Sequence, residues 1–542
     1  MAGILGISLS GLVAAQQALD TTGHNIANVN TEGYSRQRVD LSQKEAQFNG
    51  SGYIGQGVSA TISRVYDQFI THQLTSSTSA YSEADTLSTL ASQVDSMVSG
   101  EATSVSPALK SFFSAVNEVA NDPTSLPVRE VMLADAKSLS QHFNTLSTQF
   151  EDSRKQTNNQ MGAMLDDVNA YAQNIAHLND EIVLASSRAS DGQLPNDLLD
   201  QRDAMVAKIA EKVSVSTLPQ QDGSVSVFIG SGQSLVLGGR AATLALKGSS
   251  TDVTHKNILM DGQDITQQIT GGELSGILKF QGEILDPAQQ QMGLLAAGFA
   301  VQFNEAHAAG FDLNAQAGKA LFDVGTPTVT AGANTVGTIT TSYDARTMNQ
   351  LAASDYQLSY DGSNFSLKRL GDNTVSAFPG PPPTTIDGPG FKIETAATVE
   401  ANDSFLIRPT FNAAQNMASL ITDPAEIAAS SSADTVPGDN TTALALAALE
   451  NKAVMFGGNA TFNGVNSQLV AKVGTLTSSA KVSSAAQQAL FNLAKESRES
   501  LSGVNLDEEA ANLIKFKQSY QAAAQAISIA SSLFDTLLGA MR

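Results

Sequence analysis

His24, His72, His142, His177, His255 and His307 are the side chains best suited to hold a transition metal or move a proton at neutral pH, and they stand singly along the chain. No His-Glu-x-x-His spacing sets two of them on one helical face, so no metal site is predicted. Ser478 and Lys481 match the Ser-x-x-Lys pair of penicillin-binding enzymes, but their Lys-Thr-Gly and Ser-Asp-Asn companions are absent. Gly50, Gly52 and Gly55 fit the dinucleotide-binding glycine pattern, yet Gly57 and the alternating Val58, Ala60 and Ile62 follow where a helix should open. A glycine-rich turn before a strand is the expectation. Asp312, Asn314 and Gln316 alternate like calcium ligands, but Ala317 stands where an EF-hand needs glycine and no glutamate closes the loop, which predicts a plain turn. Asp200, Gln201, Arg202 and Asp203 form the densest charged cluster near a helix-to-strand boundary and are expected to fix a domain junction by side-chain bonds. There is no cysteine, so thiol catalysis, disulfides and cysteine-ligated metals are excluded. Nothing here assembles a nucleophile, a base and an oxyanion site; no catalytic residue, cofactor or metal is predicted, and the chain is read as a non-enzyme.

The stronger pattern is apolar. Leu5, Leu12, Leu19 and Ile26 repeat every seven residues, with Leu9 and Ala15 on the same face, although Gly3, Gly6 and Gly11 each weaken a lone helix by about 1 kcal/mol. At the other end Leu506, Leu513, Tyr520, Ile527, Phe534 and Met541 repeat in the same way, followed three positions on by Phe516, Ala523, Ala530 and Leu537. The two stripes are predicted to pack on each other. Between them, residues from about 83 to 190 read as helix, broken by Asn121-Asp122-Pro123 and restarting after Leu126-Pro127; roughly 60 residues would make a rod of about 90 Å. From Val213 the period becomes two, through Val215, Val225, Val227, Ile229, Leu244 and Leu246. A helical stretch from about Pro287 to Ala308 follows. Strands then resume, with Tyr356, Leu358 and Tyr360 joined through Asp361-Gly362 to Phe365 and Leu367. Pro379-Gly380-Pro381-Pro382-Pro383 marks an exposed loop, and after Pro409 helix is expected to the C-terminus.

The fold class is therefore multidomain α+β: N- and C-terminal helices paired as a coiled-coil-like stem, a long helical rod domain, and inserted β domains. The expected division is a stem of 1–60 with 500–542; a rod of 61–212 with 285–310 and 411–499; a β domain of 213–284; and a second β region of 311–410. The chain has 542 residues, and Lys plus Arg total 31 against 53 Asp plus Glu, a net charge of -22. That argues against nucleic acid or an anionic membrane as partner. No apolar run reaches the ~18 residues of a membrane span. The first basic residue is Arg36, so the positive start of a secretory signal is missing and any export is expected by another route.

Asn25-Ile26-Ala27-Asn28-Val29-Asn30-Thr31-Glu32-Gly33-Tyr34 resembles the N-terminal signature of the bacterial flagellar rod, hook and hook-associated proteins, carried here by Asn25, Asn28, Asn30, Thr31, Gly33 and Tyr34. Its Asn-rich link would turn the chain by side-chain bonds to backbone. Ser35-Arg36-Gln37, Asn196 to Asp203, Asn304-Glu305-Ala306-His307 with Gly310-Phe311-Asp312, and Ser502 to Leu513 are similar to the hook-associated protein 1 family within that group. The resemblance touches both ends and points between. It implies an extracellular building block of the flagellum at the hook–filament junction, self-assembled into a ring, with the hook protein and a second hook–filament junction protein as neighbours. It also implies flagellar type III export without a cleaved signal peptide, and an export chaperone on the C-terminal segment. Leu5, Leu12, Leu19, Ile26, Leu506, Leu513, Phe516, Tyr520, Ile527, Phe534 and Leu537 are the expected assembly interface, in terminal helices expected to order on polymerisation. Another axial protein, a hook or rod subunit, would share the same ends; a secreted surface enzyme using Ser478 and Lys481 is the competing class.

Overall fold

The computed structural model describes residues 2–48, 53–101, 103–188, 193–249 and 255–540. Helix α1 (Ala2–Ala27) is followed by a hairpin of β1 (Gln37–Gln43) and β4 (Val58–Arg64), with the short pair β2 (Gln47–Phe48) and β3 (Tyr53–Ile54) beyond it. The Gly50–Gly52 part of the glycine pattern lies outside the described residues. Helix α2 (Gln68–Ser99) starts at Asp67, whose carboxylate accepts from the Phe69 and Ile70 N–H groups. Helix α3 (Val105–Asn121) ends at the Asn-Asp-Pro break, and α4 (Leu126–Arg188) restarts at Leu126 and runs for 63 residues, about 95 Å at 1.5 Å per residue. Helix α5 (Asn196–Lys212) returns along α4.

The first β unit holds the sheet β5 (Val215–Pro219), β6 (Val225–Ile229), β7 (Gln233–Leu237) and β8 (Arg240–Ala241), and the sheet β9 (Leu244–Gly248), β10 (Lys256–Met260) and β11 (Gln263–Asp264). Helix α6 (Gly272–Lys279) passes through a π-helical turn, Phe280–Leu285, into α7 (Asp286–Ala308), so the helical stretch begins well before Pro287. After β12 (Phe322–Asp323) come β13 (Thr328–Ala331), β14 (Ile339–Tyr343), β15 (Tyr356–Tyr360), β16 (Asn364–Arg369), β17 (Val375–Pro379), β18 (Thr385–Asp387), β19 (Phe391–Thr395) and β20 (Ser404–Arg408). They form a five-stranded sheet in the order β13-β20-β15-β16-β17 and a three-stranded sheet β14-β19-β18. The Asp361-Gly362 hairpin pairs Tyr360 with Phe365, and its exposed Asp361 accepts from the Ser363 and Asn364 N–H groups.

Beyond Pro409 continuous helix does not resume at once. Residues 409–461 carry α8 (Ala413–Asn416), β21 (Ala418–Ser419), α9 (Thr441–Ala448) and single 3-10 turns. Ile427, Ala428 and Ala429 are buried there as irregular chain, held by side-chain and backbone bonds in place of helix. Only then do α10 (Phe462–Ser502) and α11 (Leu506–Ala540) follow.

The rod's core is aromatic. Phe299 on α7 meets the rings of Phe112, Phe113, Phe303, Phe322 and Phe462 at centroid distances of 5.6, 5.9, 5.8, 5.1 and 5.4 Å. One ring thus welds α3, α7, β12 and α10, in mostly edge-to-face geometry that adds to simple burial. The first β unit is attached by asparagine. Asn179 on α4 donates to Val225 O at 2.9 Å and accepts from Val225 N at 3.0 Å. Asn169, one helical face further back, does the same to Leu244 at 2.8 Å each way. A side-chain amide used in this way replaces a neighbouring strand.

The two terminal helices lie side by side. The stem residues buried most deeply are small or polar, and the large heptad residues among those described stay half-buried or exposed. The elements packed on α1 are α11, β1 and β4, and the α1 residues buried beneath them are Ala14, Ala15, Ala18, Thr21, Thr22 and Asn25. Small side chains let two backbones approach closely.

Candidate functional site

The stem and the rod meet in a polar joint built around the Asn-rich link. Asn25, buried at the end of α1, donates to Gln37 O at 2.8 Å and to Glu509 Oε2 at 3.1 Å, while its Oδ1 accepts from Gln37 N at 2.9 Å and from the Tyr34 hydroxyl at 2.7 Å. Asn25 lies near the end of α1 and Glu509 near the start of α11, so the two helices run antiparallel. Asn28 donates to His24 O and accepts from the Thr31 hydroxyl, and Thr31 O accepts from Tyr34 N, which winds the link into successive turns. Gly33 takes a φ of +83°, a conformation that disfavours any side chain. Asn30 is exposed. Burial, then the charges of Asp197, Asp200 and Glu509, push the Tyr34 hydroxyl far above its usual pKa, so it stays a neutral donor to Asn25.

Arginines tie this link to the rest. Arg498 near the end of α10 donates to Gly33 O and Tyr34 O, both at 2.9 Å. Arg36 reaches Glu509 Oε1 at 2.7 Å and Glu508 Oε2 at 2.6 Å. Arg64 on β4 pairs with Asp200 at 2.9 Å and Asp203 at 2.7 Å, and these carboxylates hold its guanidinium charged against the cost of burial. Asp200 also accepts from Ser35 N, Gln37 donates to Asp197, and Arg202 donates to Asn179 Oδ1 and Gly223 O. The charged cluster on α5 therefore fixes a junction, as its composition predicted. Gly57 packs against α1 so closely that a Cβ there would stand 2.0 Å from Ser10 Oγ. Around the joint opens a cleft of about 1770 Å³, lined by the link, Tyr66, the first turns of α2, α5 and the end of α10.

The apolar stripes have a different setting. Leu5, Leu12, Leu19 and Ile26 on α1 are half-buried, as are Phe516 and Ile527 on α11. Leu506, Leu513, Tyr520 and Phe534 remain 51%, 38%, 36% and 46% exposed, and Ile4, Ile7, Leu9, Val13, Ile514, Ile529 and Leu533 join them at the surface. The side chain of Leu537 and all of Met541 lie outside the described residues. Ser35-Arg36-Gln37 and Asn196 to Asp203 stand out in the sequence, but the bonds between them do not. Those bonds join Ser35 to Asp200 and Gln37 to Asp197, separations that periodicity does not reach.

Other candidate chemistry is not assembled. Ser478 and Lys481 are exposed on the outer surface of α10. Asp312 is buried and spends Oδ1 on the Asn314 and Gln316 N–H groups, a closed turn. Among the described residues no group of three or more His, Cys, Asp or Glu could hold a metal ion, and no helix is long and apolar enough to cross a membrane.

Comparison with known proteins agrees along the whole chain. Residues 91–322 match the family of the flagellar hook-associated protein FlgK helical domain, and residues 329–409 match the flagellar hook-associated protein 1 D2-like domain. Residues 5–34 match the flagella basal body rod protein family, and 497–540 match the C-terminal family of the flagellar basal body rod FlgEFG proteins. Flagellar hook-associated protein 1 of Escherichia coli is 33% identical over 99% of this chain and 100% of its own length. Its counterpart from Salmonella typhimurium is 34% identical, with the same coverage, and that from Bacillus subtilis is 23% identical over 98% of this chain and 96% of its own. The solved structure of the flagellar hook junction protein FlgK from Burkholderia pseudomallei superposes with a TM-score of 0.71 at 27% identity, covering 80% of this chain and 100% of that one. With a full-length relative a third identical, and with matches at both ends and through the rod and the β region, the chain belongs to the flagellar hook-associated protein 1 family, structural proteins of the bacterial flagellum.

Proposed function

We infer that this chain is a structural piece of the flagellum that joins hook to filament, and that the outward apolar side of α1 and α11 is the surface through which copies assemble. The observation that carries the assembly reading is the row of large side chains left between about a third and three-fifths exposed, from Ile4 at 52% and Leu9 at 56% to Leu513 at 38% and Phe534 at 46%, along a helix pair whose fully buried residues are small or polar. Burying a Leu, Ile or Phe fully is worth about 1.5–3 kcal/mol, so half of that over six side chains supplies about 4.5–9 kcal/mol toward the cost of association. Assembly buries Leu5, Leu12, Leu19, Ile26, Leu506, Leu513, Phe516, Tyr520, Ile527, Phe534 and Leu537 more deeply, in a coiled-coil-like seam shared between neighbours rather than closed within one chain.

The finer points follow the family resemblance. Copies close into a ring, with the hook protein below and the second junction protein above. Export runs through the flagellar type III route without a cleaved signal peptide, and a chaperone covers the C-terminal segment beforehand. The units 1–60 with 500–542 act as the assembly domain, 61–212 with 285–310 and 411–499 as the rod, and 213–284 and 311–410 as outer β regions.

Removing the gene tests the position: intact hooks, absent filaments and filament protein lost to the medium are expected, whereas missing hooks would assign the chain to the hook or rod. Ile527→Asp tests the surface. The purified variant should keep the parent's circular dichroism yet fail to restore filaments, and normal filament attachment would refute the seam.

A further inference from the structure

We infer that Arg36 is the positioning residue that sets the direction of the terminal stem relative to the rod, acting as a latch across the two places where the chain passes between them. Those crossings are the link 28–36 and the break at 503–505 between α10 and α11. Arg36 bonds to three of the parts that meet there. Its N–H donates to Ser502 O, the last residue of α10, at 2.9 Å, and its C=O accepts from Val65 N, just beyond β4, at 2.8 Å. These two bonds fix its backbone to the rod side. Its guanidinium then reaches across to α11, with Nε 2.8 Å and Nη2 2.7 Å from Glu509 Oε1, and Nη1 2.6 Å from Glu508 Oε2.

The stem side of the latch is equally fixed. Asn505 Oδ1 accepts from the Asp507 and Glu508 N–H groups, so α11 begins as a capped, stiff helix and its first carboxylates move with the helix axis. Glu509 is buried, and its second oxygen takes the Asn25 amide from the end of α1. One carboxylate thereby unites the two stem helices and receives the arginine whose backbone is bonded to the end of α10 and to Val65. Any swing of α11 about 503–505 pulls the guanidinium off Glu508 and Glu509 and leaves the buried Glu509 with Asn25 alone. Stripping the partner from a buried charge is strongly unfavourable, and the forked contact of arginine also fixes direction, which a lysine ammonium would not. Arg498 holds the link to α10 from the other side but makes no bond to α11 among those described, so it anchors the link without aiming the stem.

The latch adds to the assembly reading without depending on it, because it is testable in the monomer. The chain has no cysteine, so Gln488→Cys on α10 and Gln518→Cys on α11, both exposed, accept a spin-label pair cleanly. Pulsed electron–electron distance measurement on the full-length monomer should give one narrow distribution. Arg36→Gln should broaden it by about twofold or more while the thermal transition of the rod stays in place, and Arg36→Lys should fall between the two. Arg38→Gln, which removes an exposed arginine paired with Asp40 inside the hairpin, should leave the width unchanged. Should Arg36→Gln perturb folding, Glu508→Gln reads the same latch from its exposed partner and should give part of the broadening. A narrow distribution in both Arg36→Gln and Glu508→Gln, or a parent distribution already as broad as that of Arg36→Gln, would overturn the latch. Either result would leave the position at the hook–filament junction standing.

Discussion

The rod and the stem are both helical, yet they use their large apolar residues in opposite ways. In the rod, Phe112, Phe113, Phe299, Phe303, Phe322 and Phe462 are all buried, with large aliphatic side chains such as Leu109, Leu295 and Met455 buried in the same core. In the stem the deeply buried positions are alanines and threonines with Asn25 and Glu509, and the leucines, isoleucines and Phe534 among the described residues stay half-buried or exposed. The rod is thus a finished object whose stability is internal. The stem, in the function proposed above, is half of an interface, and hydrogen bonds and ion pairs hold its joint. The difference teaches that a heptad stripe identifies a surface that will be buried, without saying whether the same chain buries it.

Truncating a large side chain in each region breaks or sharpens that contrast most directly. Phe299→Ala removes the ring on which five others lean and should cost about 3–5 kcal/mol, seen as a lowered midpoint in urea unfolding of the monomer. Phe534→Ser should move the same midpoint by less than about 0.5 kcal/mol, as a surface change does, and yet prevent incorporation into flagella. Equal losses of stability in the two variants would mean that the stem carries a core after all.

A smaller effect is expected where amide side chains join the parts. Asn179→Ala strands Val225 N–H and C=O, Gly238 C=O and one Arg202 donor in a buried place, and should cost about 1–3 kcal/mol. The same substitution at Asn25 removes an equivalent pair of bonds to Gln37, but at the joint. It should shift the midpoint less and instead quicken proteolysis of α1 and α11. If both variants unfold the whole chain alike, the rod and stem form one cooperative unit.

Much of this architecture could be read from local pattern. The Asn121-Asp122-Pro123 break, the restart at Leu126, the Asp361-Gly362 hairpin and the start of the C-terminal repeat at Leu506 all rest on rules that act within a few residues: proline's missing N–H, the backbone freedom of Asp-Gly, and the 3.6-residue period. The family signature at residues 25–34 was legible as a turning link, but not its contacts. Asn25 and Asn179 acquire their partners only when hairpin and helix are already placed, and an asparagine that imitates a strand looks in sequence like any polar residue. The segment 409–461 misled for a related reason: its alanines and short apolar runs suit a helix, and burial among α4, α7 and α9 holds several of them as irregular chain instead.

The smallest predicted effect concerns acid, and it sharpens where the rod's stability resides. His307 lies buried at the end of α7, with Nδ1 donating to Lys319 O at 2.6 Å and Nε2 accepting from Ala428 N at 2.8 Å, an arrangement possible only for the neutral ring. Burial lowers its pKa below the ordinary 6.5, and nearby Arg129 acts in the same direction, against the Lys319 carbonyl and Asp312. A group whose folded pKa is depressed in this sense binds fewer protons in the folded chain than in the unfolded one. Its contribution is therefore fully present above pH 6.5 and is lost as the pH falls through the folded value. The rod's thermal midpoint should fall as the medium is acidified below that point. His307→Gln should start lower at neutral pH, because it cannot reproduce both bonds, and should descend less steeply on acidification. Parallel descents in the two proteins would place the acid-sensitive group elsewhere and remove His307 from the account of how the rod holds residues 427–429 against α7.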